Sequence, residues 1–214
     1  FELCAKIVLS RCIENLFVDD WTELGYIVII EPMEGHSEID SIFHNSETGG
    51  PFSNCLMCNK ELIQSNEQYL IEKLMRRVPA LNLTEVLFEY AICMNCAQQT
   101  HEQMSKSSRE AVERFFHENV KHGIIKLEGD RLDFCVFTGK RIDATLEYSL
   151  HAQCIGDKMV QSVFPYAMSD DAMDQIVDRL SNETLDELDR FKNEYFGGPP
   201  ELEDVLSPRR LLPF

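Results

Sequence analysis

Cys55-Leu56-Met57-Cys58 and, after 34 intervening residues, Cys93-Met94-Asn95-Cys96 are the two stretches on which the reading of this chain turns. A Cys-x-x-Cys pair sets two soft sulfur donors on one tight turn, and two such pairs supply the four ligands of a tetrahedral metal site. Four protein thiolates close the coordination sphere and leave no position for water or substrate, so the spacing points to a structural zinc rather than a catalytic one.

Working outward, the chain has 214 residues, 44% of them hydrophobic and 27% charged, the balance of a globular protein. Its longest apolar cluster, Tyr26-Ile27-Val28-Ile29-Ile30, has the length of a strand and not of a membrane span. Glu2, Lys6, Arg11 and Glu14 interrupt the first 18 residues, which therefore lack the apolar run of a secretory signal. A cytoplasmic location is expected, and there eight cysteines are better read as metal ligands and small core residues than as disulfides. Cys4, Val8 and Cys12 share one helical stripe and are expected in a core.

Twenty Lys and Arg oppose 37 Asp and Glu, a formal net charge of −17, to which a zinc with four thiolates adds local negative charge. Such a field repels phosphate backbones, so nucleic acid is disfavoured as a partner and a protein with a basic surface is favoured. No Gly-rich phosphate loop, nucleophile elbow or His-Glu-x-x-His segment is present, and no residue is assigned a catalytic or cofactor-binding role. The reading therefore leans away from an enzyme.

Periodicity predicts an amphipathic helix over 3–17 and a buried strand over 26–31, together an N-terminal segment, residues 1–54, packing on the core. Apolar residues at 70, 71, 74, 75 and 78 predict a helix over 67–78, and alternation predicts a strand over 84–92 that delivers Cys93. Capping-box pairs at Ser107/Glu110 and Thr184/Glu187 predict two further helices, with another from Ser169 to Leu180. Residues 124–127 and 132–137 read as a hairpin about Gly129-Asp130, and the apolar tail to Phe214 is expected to dock on the body.

The chain also repeats itself. Cys55-Leu-Met-Cys58-Asn-Lys60 matches Cys135-Val-Phe-Thr138-Gly-Lys140, Tyr90-x-x-Cys93-x-x-Cys96 matches Tyr148-x-x-His151-x-x-Cys154, and the Ser105 and Ser181 blocks agree through Arg114-Phe115 and Arg190-Phe191. Three blocks in one order predict an internal duplication: a first zinc-binding module over 55–122 and a degenerate second module over 123–214. In the second, Cys135, His151 and Cys154 keep ligand-capable side chains while Thr138 replaces the fourth. They are candidates for a second metal site, with three readings open: no metal, a structural zinc with a recruited ligand, or a Cys2His zinc with an open position.

A ligand pair on a turn, a strand-like connector and a second pair feeding a helix resemble the treble-clef and zinc-ribbon class of zinc modules. The resemblance implies an α+β fold of two tandem modules and says little about activity, because such frames serve many roles. The expected function is a zinc-binding, acidic, non-enzymatic scaffold for protein–protein interaction. A zinc hydrolase or nuclease-like enzyme built on Cys135, His151 and Cys154 is the first alternative, and an acidic nucleic-acid mimic the second.

Overall fold

In the computed structural model, which describes residues 35–127 and 129–196, the sheet is built around Gln68–Val78 (β2). This strand pairs antiparallel with Leu83–Cys93 (β3) on one side and with Glu147–Ile155 (β4) on the other. Tyr69 through Leu74 are consequently all buried, with no alternation. A strand covered on both faces loses the period of two that would reveal it, and chance spacing at 70, 71, 74, 75 and 78 imitates a helix. The helix expected over 67–78 is therefore a strand, while the strand expected over 84–92 is present.

Gly35–Glu38 (β1), Lys158–Gln161 (β5) and Tyr166–Ser169 (β6) extend the sheet, whose order is β1-β5-β4-β2-β3 with β6 also on β4. Every pairing between these strands is antiparallel. Helices Met94–Gln103 (α1), Lys106–Asn119 (α2), His122–Ile125 (α3), Asp170–Val177 (α4) and Asn182–Phe196 (α5) complete an α+β architecture. The expected helix over 3–17, strand over 26–31 and docked tail lie outside the described residues.

The hairpin expected over 124–137 does not form. Residues 122–125 make a helical turn, 131–133 make a 3-10 turn, and Cys135 bridges to Ala167 of β6, to whose carbonyl the Val136 amide donates at 2.9 Å. A non-local partner satisfies the backbone that a local hairpin would otherwise pair.

The two faces of the sheet are packed differently. Phe88 and Tyr90 of β3 lie against Phe191 and Phe196 of α5, and Phe115 and Phe116 of α2 close on Phe137. From the next position along β2, buried Lys73 donates to the carbonyls of Ile42 (3.0 Å) and His44 (2.6 Å) and pairs with Glu89 at 2.8 Å. Glu89 also accepts from the Ser46 amide and hydroxyl, and these bonds pull its carboxyl below the ordinary range against the opposing effect of burial. One buried lysine thus fastens the 40–50 loop to the sheet.

Helices α2 and α5 start beside one another and complete each other's first turns. Ser105 accepts from the Ser108 amide (3.2 Å), and Ser181 from the Thr184 amide (3.3 Å). The Ser105 amide in turn donates to Thr184 Oγ1 (3.0 Å), the Ser181 amide to Ser108 Oγ (2.9 Å), and the two capping hydroxyls meet at 2.8 Å. Both helices appear where the sequence places them, but their caps precede the Ser107 and Thr184 positions expected. Ser181→Ala removes the cap of α5 and a partner of Ser105, and is expected to cost about 1–2 kcal/mol in urea unfolding. Loss of less than a few tenths of a kcal/mol would show the reciprocal caps to be dispensable.

Candidate metal centre

Three pieces of chain bring the four thiols together. The turn at 55–60 is closed by the Cys55 amide on the Lys60 carbonyl (2.8 Å) and the Asn59 amide on the Cys55 carbonyl (2.9 Å), with Asn59 in the left-handed region at φ 57°. The Leu56 amide then donates to the Ala91 carbonyl at 2.8 Å, which ties this turn to the edge of β3. Cys93 ends β3 and is the N-cap of α1, and Cys96 sits in the first turn of that helix.

The Sγ atoms of Cys55, Cys58, Cys93 and Cys96 all lie within 4.8 Å of one another, close enough to hold one metal ion, and among the described residues they are the only His, Cys or carboxylate group so placed. Cys58 and Cys93 stand 3.7 Å apart. That is far beyond a disulfide bond and close to the ~3.8 Å edge of a tetrahedron with metal–sulfur distances of about 2.3 Å. Cys55, Cys93 and Cys96 are buried while Cys58 is exposed, so the site is sealed on three sides.

The surrounding donors suit thiolates. Burial opposes ionisation of Cys55, yet the amides of Cys58, Cys93 and Met57 point at its sulfur and bring it down to about 7, the Cys93 amide at 3.4 Å. Burial pushes Cys93 and Cys96 up; neighbouring thiols add to the rise at Cys96, while at Cys93 the Cys96 amide and thiol partly offset it. Crowded sulfurs resist ionising together unless a cation sits among them, and the start of α1 contributes its positive end. The donor set, its spacing and its polar surroundings therefore fit a divalent soft-ligand metal.

Cys135, His151 and Cys154 do not form a second such cluster. His151 and Cys154 lie inside β4, facing Glu72 and Tyr69 of β2 across the ladder. The His151 ring stacks on Tyr166 with centroids 4.7 Å apart, and its Nε2 is 2.8 Å from the Ser149 hydroxyl. Burial pushes the Cys154 thiol up to about 12, the Tyr69 hydroxyl only partly offsetting it. Cys135 is bridged instead to Ala167 of β6. The spacing Tyr-x-x-His-x-x-Cys imitates the first module's second pair, but within a strand it alternates side chains between faces and cannot aim two ligands at one point.

His36 and His44 also stay apart from the cluster; His44 bonds the carbonyls of Ile39 and Gly49 at 3.2 Å. Among the described residues no helix is long and apolar enough to cross a membrane. Comparison with protein-family models, with curated proteins and with solved structures returned no significant match.

Proposed function

We propose that the four thiols hold one structural zinc ion, and that the chain is a non-enzymatic scaffold that presents an acidic surface to a basic protein partner. The gathering of Cys55, Cys58, Cys93 and Cys96 within 4.8 Å carries the first part. Zinc suits four thiolates in a tetrahedron, needs no redox chemistry and is left with no open position there. A zinc in this place joins the 55–60 turn, the end of β3 and the start of α1.

The second part is supported by charge. Asp174 and Asp178 near the end of α4 and Glu183 and Asp186 near the start of α5 are exposed and make no ion pair among the described residues. Together with the net charge of −17 they give the surface around the α4–α5 connection a negative charge that attracts basic surfaces and repels nucleic acid. The hydrolase reading of Cys135, His151 and Cys154 draws no support from a cysteine on the 135–140 turn and two residues set into β4 with other partners.

The partner is testable with an Asp174→Asn, Asp178→Asn, Asp186→Asn variant of the full chain. A basic protein captured by the wild type is expected to dissociate as salt is raised and to bind the variant at least tenfold more weakly. Capture that is indifferent to both salt and the substitutions would rule out the acidic face as the docking surface.

A further inference from the structure

We propose that the turn at Cys135–Lys140, with the end of β6 and the start of α4, is a second metal frame in which hydroxyl groups and an ion pair have taken over from the metal. The two turns are closed by the same bonds. The Cys135 amide donates to the Lys140 carbonyl at 2.8 Å and the Gly139 amide to the Cys135 carbonyl at 2.8 Å, with Gly139 left-handed at φ 73° as Asn59 is in the first turn. The Val136 amide reaches Ala167 as the Leu56 amide reaches Ala91. Ala167 lies in Tyr166-Ala167-Met168-Ser169-Asp170-Asp171-Ala172, which aligns without a gap on Tyr90-Ala91-Ile92-Cys93-Met94-Asn95-Cys96.

Strand register points to the same correspondence. Tyr90 faces Glu72 and Cys93 faces Tyr69 in one ladder, while Tyr166 faces His151 and Ser169 faces Tyr148 in the other. Glu72 and His151 thus occupy matching places, and they face each other where β2 and β4 pair. That is the arrangement of a pseudo-twofold axis, about which the reciprocal caps of Ser105 and Ser181 are also paired.

The counterparts of the four ligands are then Cys135, Thr138, Ser169 and Ala172, not His151 and Cys154. Thr138 Oγ1 and Ser169 Oγ are 3.5 Å apart, where Cys58 and Cys93 sulfurs are 3.7 Å apart. The Thr138 amide still donates to the Cys135 sulfur at 3.4 Å. Lys140 on the turn binds Asp171 at 2.7 Å and lies 3.8 Å from Asp170, both at the start of α4. Turn and helix are therefore clasped without a metal, at the two elements a metal joins in the first frame.

Restoring the thiols tests this directly. Thr138→Cys, Ser169→Cys, Ala172→Cys in the full chain is expected to raise the cobalt or zinc content by one ion per chain over the wild type, with the absorption of a tetrahedral cobalt thiolate doubling. A folded triple variant that binds no more metal than the wild type overturns the proposal. Ala172 is fully buried and a sulfur there adds bulk, so Thr138→Cys, Ser169→Cys decides the matter if the triple variant does not fold. With Cys135 it offers three thiolates and is expected to gain one cobalt; no gain overturns the proposal equally. The inference extends the zinc reading of the first frame, and the wild type's own metal content, read in the same titration, separates failure of that reading from failure of this one.

Discussion

Removal of the proposed zinc is expected to unfold this protein at neutral pH. Structural zinc contributes on the order of 10–16 kcal/mol of apparent binding free energy in zinc-finger peptides, as much as the ~5–15 kcal/mol by which whole domains are stable. Cys93 is the ligand whose loss is most damaging, because it ends β3, caps α1 and is buried. Cys93→Ser keeps the shape of the residue and removes the thiolate. Circular dichroism is expected to show loss of the cooperative thermal transition in that variant, and in the wild type after treatment with a strong zinc chelator. An unchanged melting temperature under either treatment would mean that the sheet and helices hold the four thiols together, rather than the reverse.

The second large effect is on pH. His151 is buried, stacked on Tyr166, bonded to Ser149 and set opposite Glu72, whose carboxylate accepts from the Tyr90 hydroxyl at 2.5 Å. Burial holds its pKa down at about 3. The unfolded chain binds a proton near pH 6.5 that the folded chain refuses, so stability is fully present above about pH 7 and falls as pH drops from there towards 3. The slope approaches ~1.4 kcal/mol per pH unit, and the whole effect is at most ~5 kcal/mol. His151→Gln removes it. Between about pH 7 and pH 5 the wild type is expected to lose ~2 kcal/mol more than the variant in urea unfolding. Thiol protonation in the four-cysteine cluster acts on both chains and cancels in the difference, so equal losses would show that His151 is not the group responsible.

The gathering of Cys55, Cys58, Cys93 and Cys96 was legible in the sequence because two Cys-x-x-Cys pairs leave little else for four thiols to do, and no folding detail was needed to read it. The helices α2, α4 and α5 were legible from one-sided apolar stripes. What misled was burial on two sides: β2 lost its alternation, and Glu72 and Lys73, both buried, read as the polar face of a helix. The match of Tyr148-x-x-His151-x-x-Cys154 to the second ligand pair had a related cause. It rests on side chains able to bind metal, whereas in the proposed second frame Tyr166-Ala167-Met168 takes the backbone role of Tyr90-Ala91-Ile92, with Ser169 and Ala172 at the ligand positions. On that proposed correspondence the Tyr-Ala pair stands as far before the Ser181 block as before the Ser105 block, and the ligand side chains carry none of the signal.

Native mass spectrometry of the full chain with elemental analysis tests the central claim most directly. One zinc per wild-type chain, no iron, and none bound to Cys58→Ser or Cys93→Ser is the result the account predicts. A metal-free wild type that is folded, or a zinc that survives in Cys93→Ser, would contradict it.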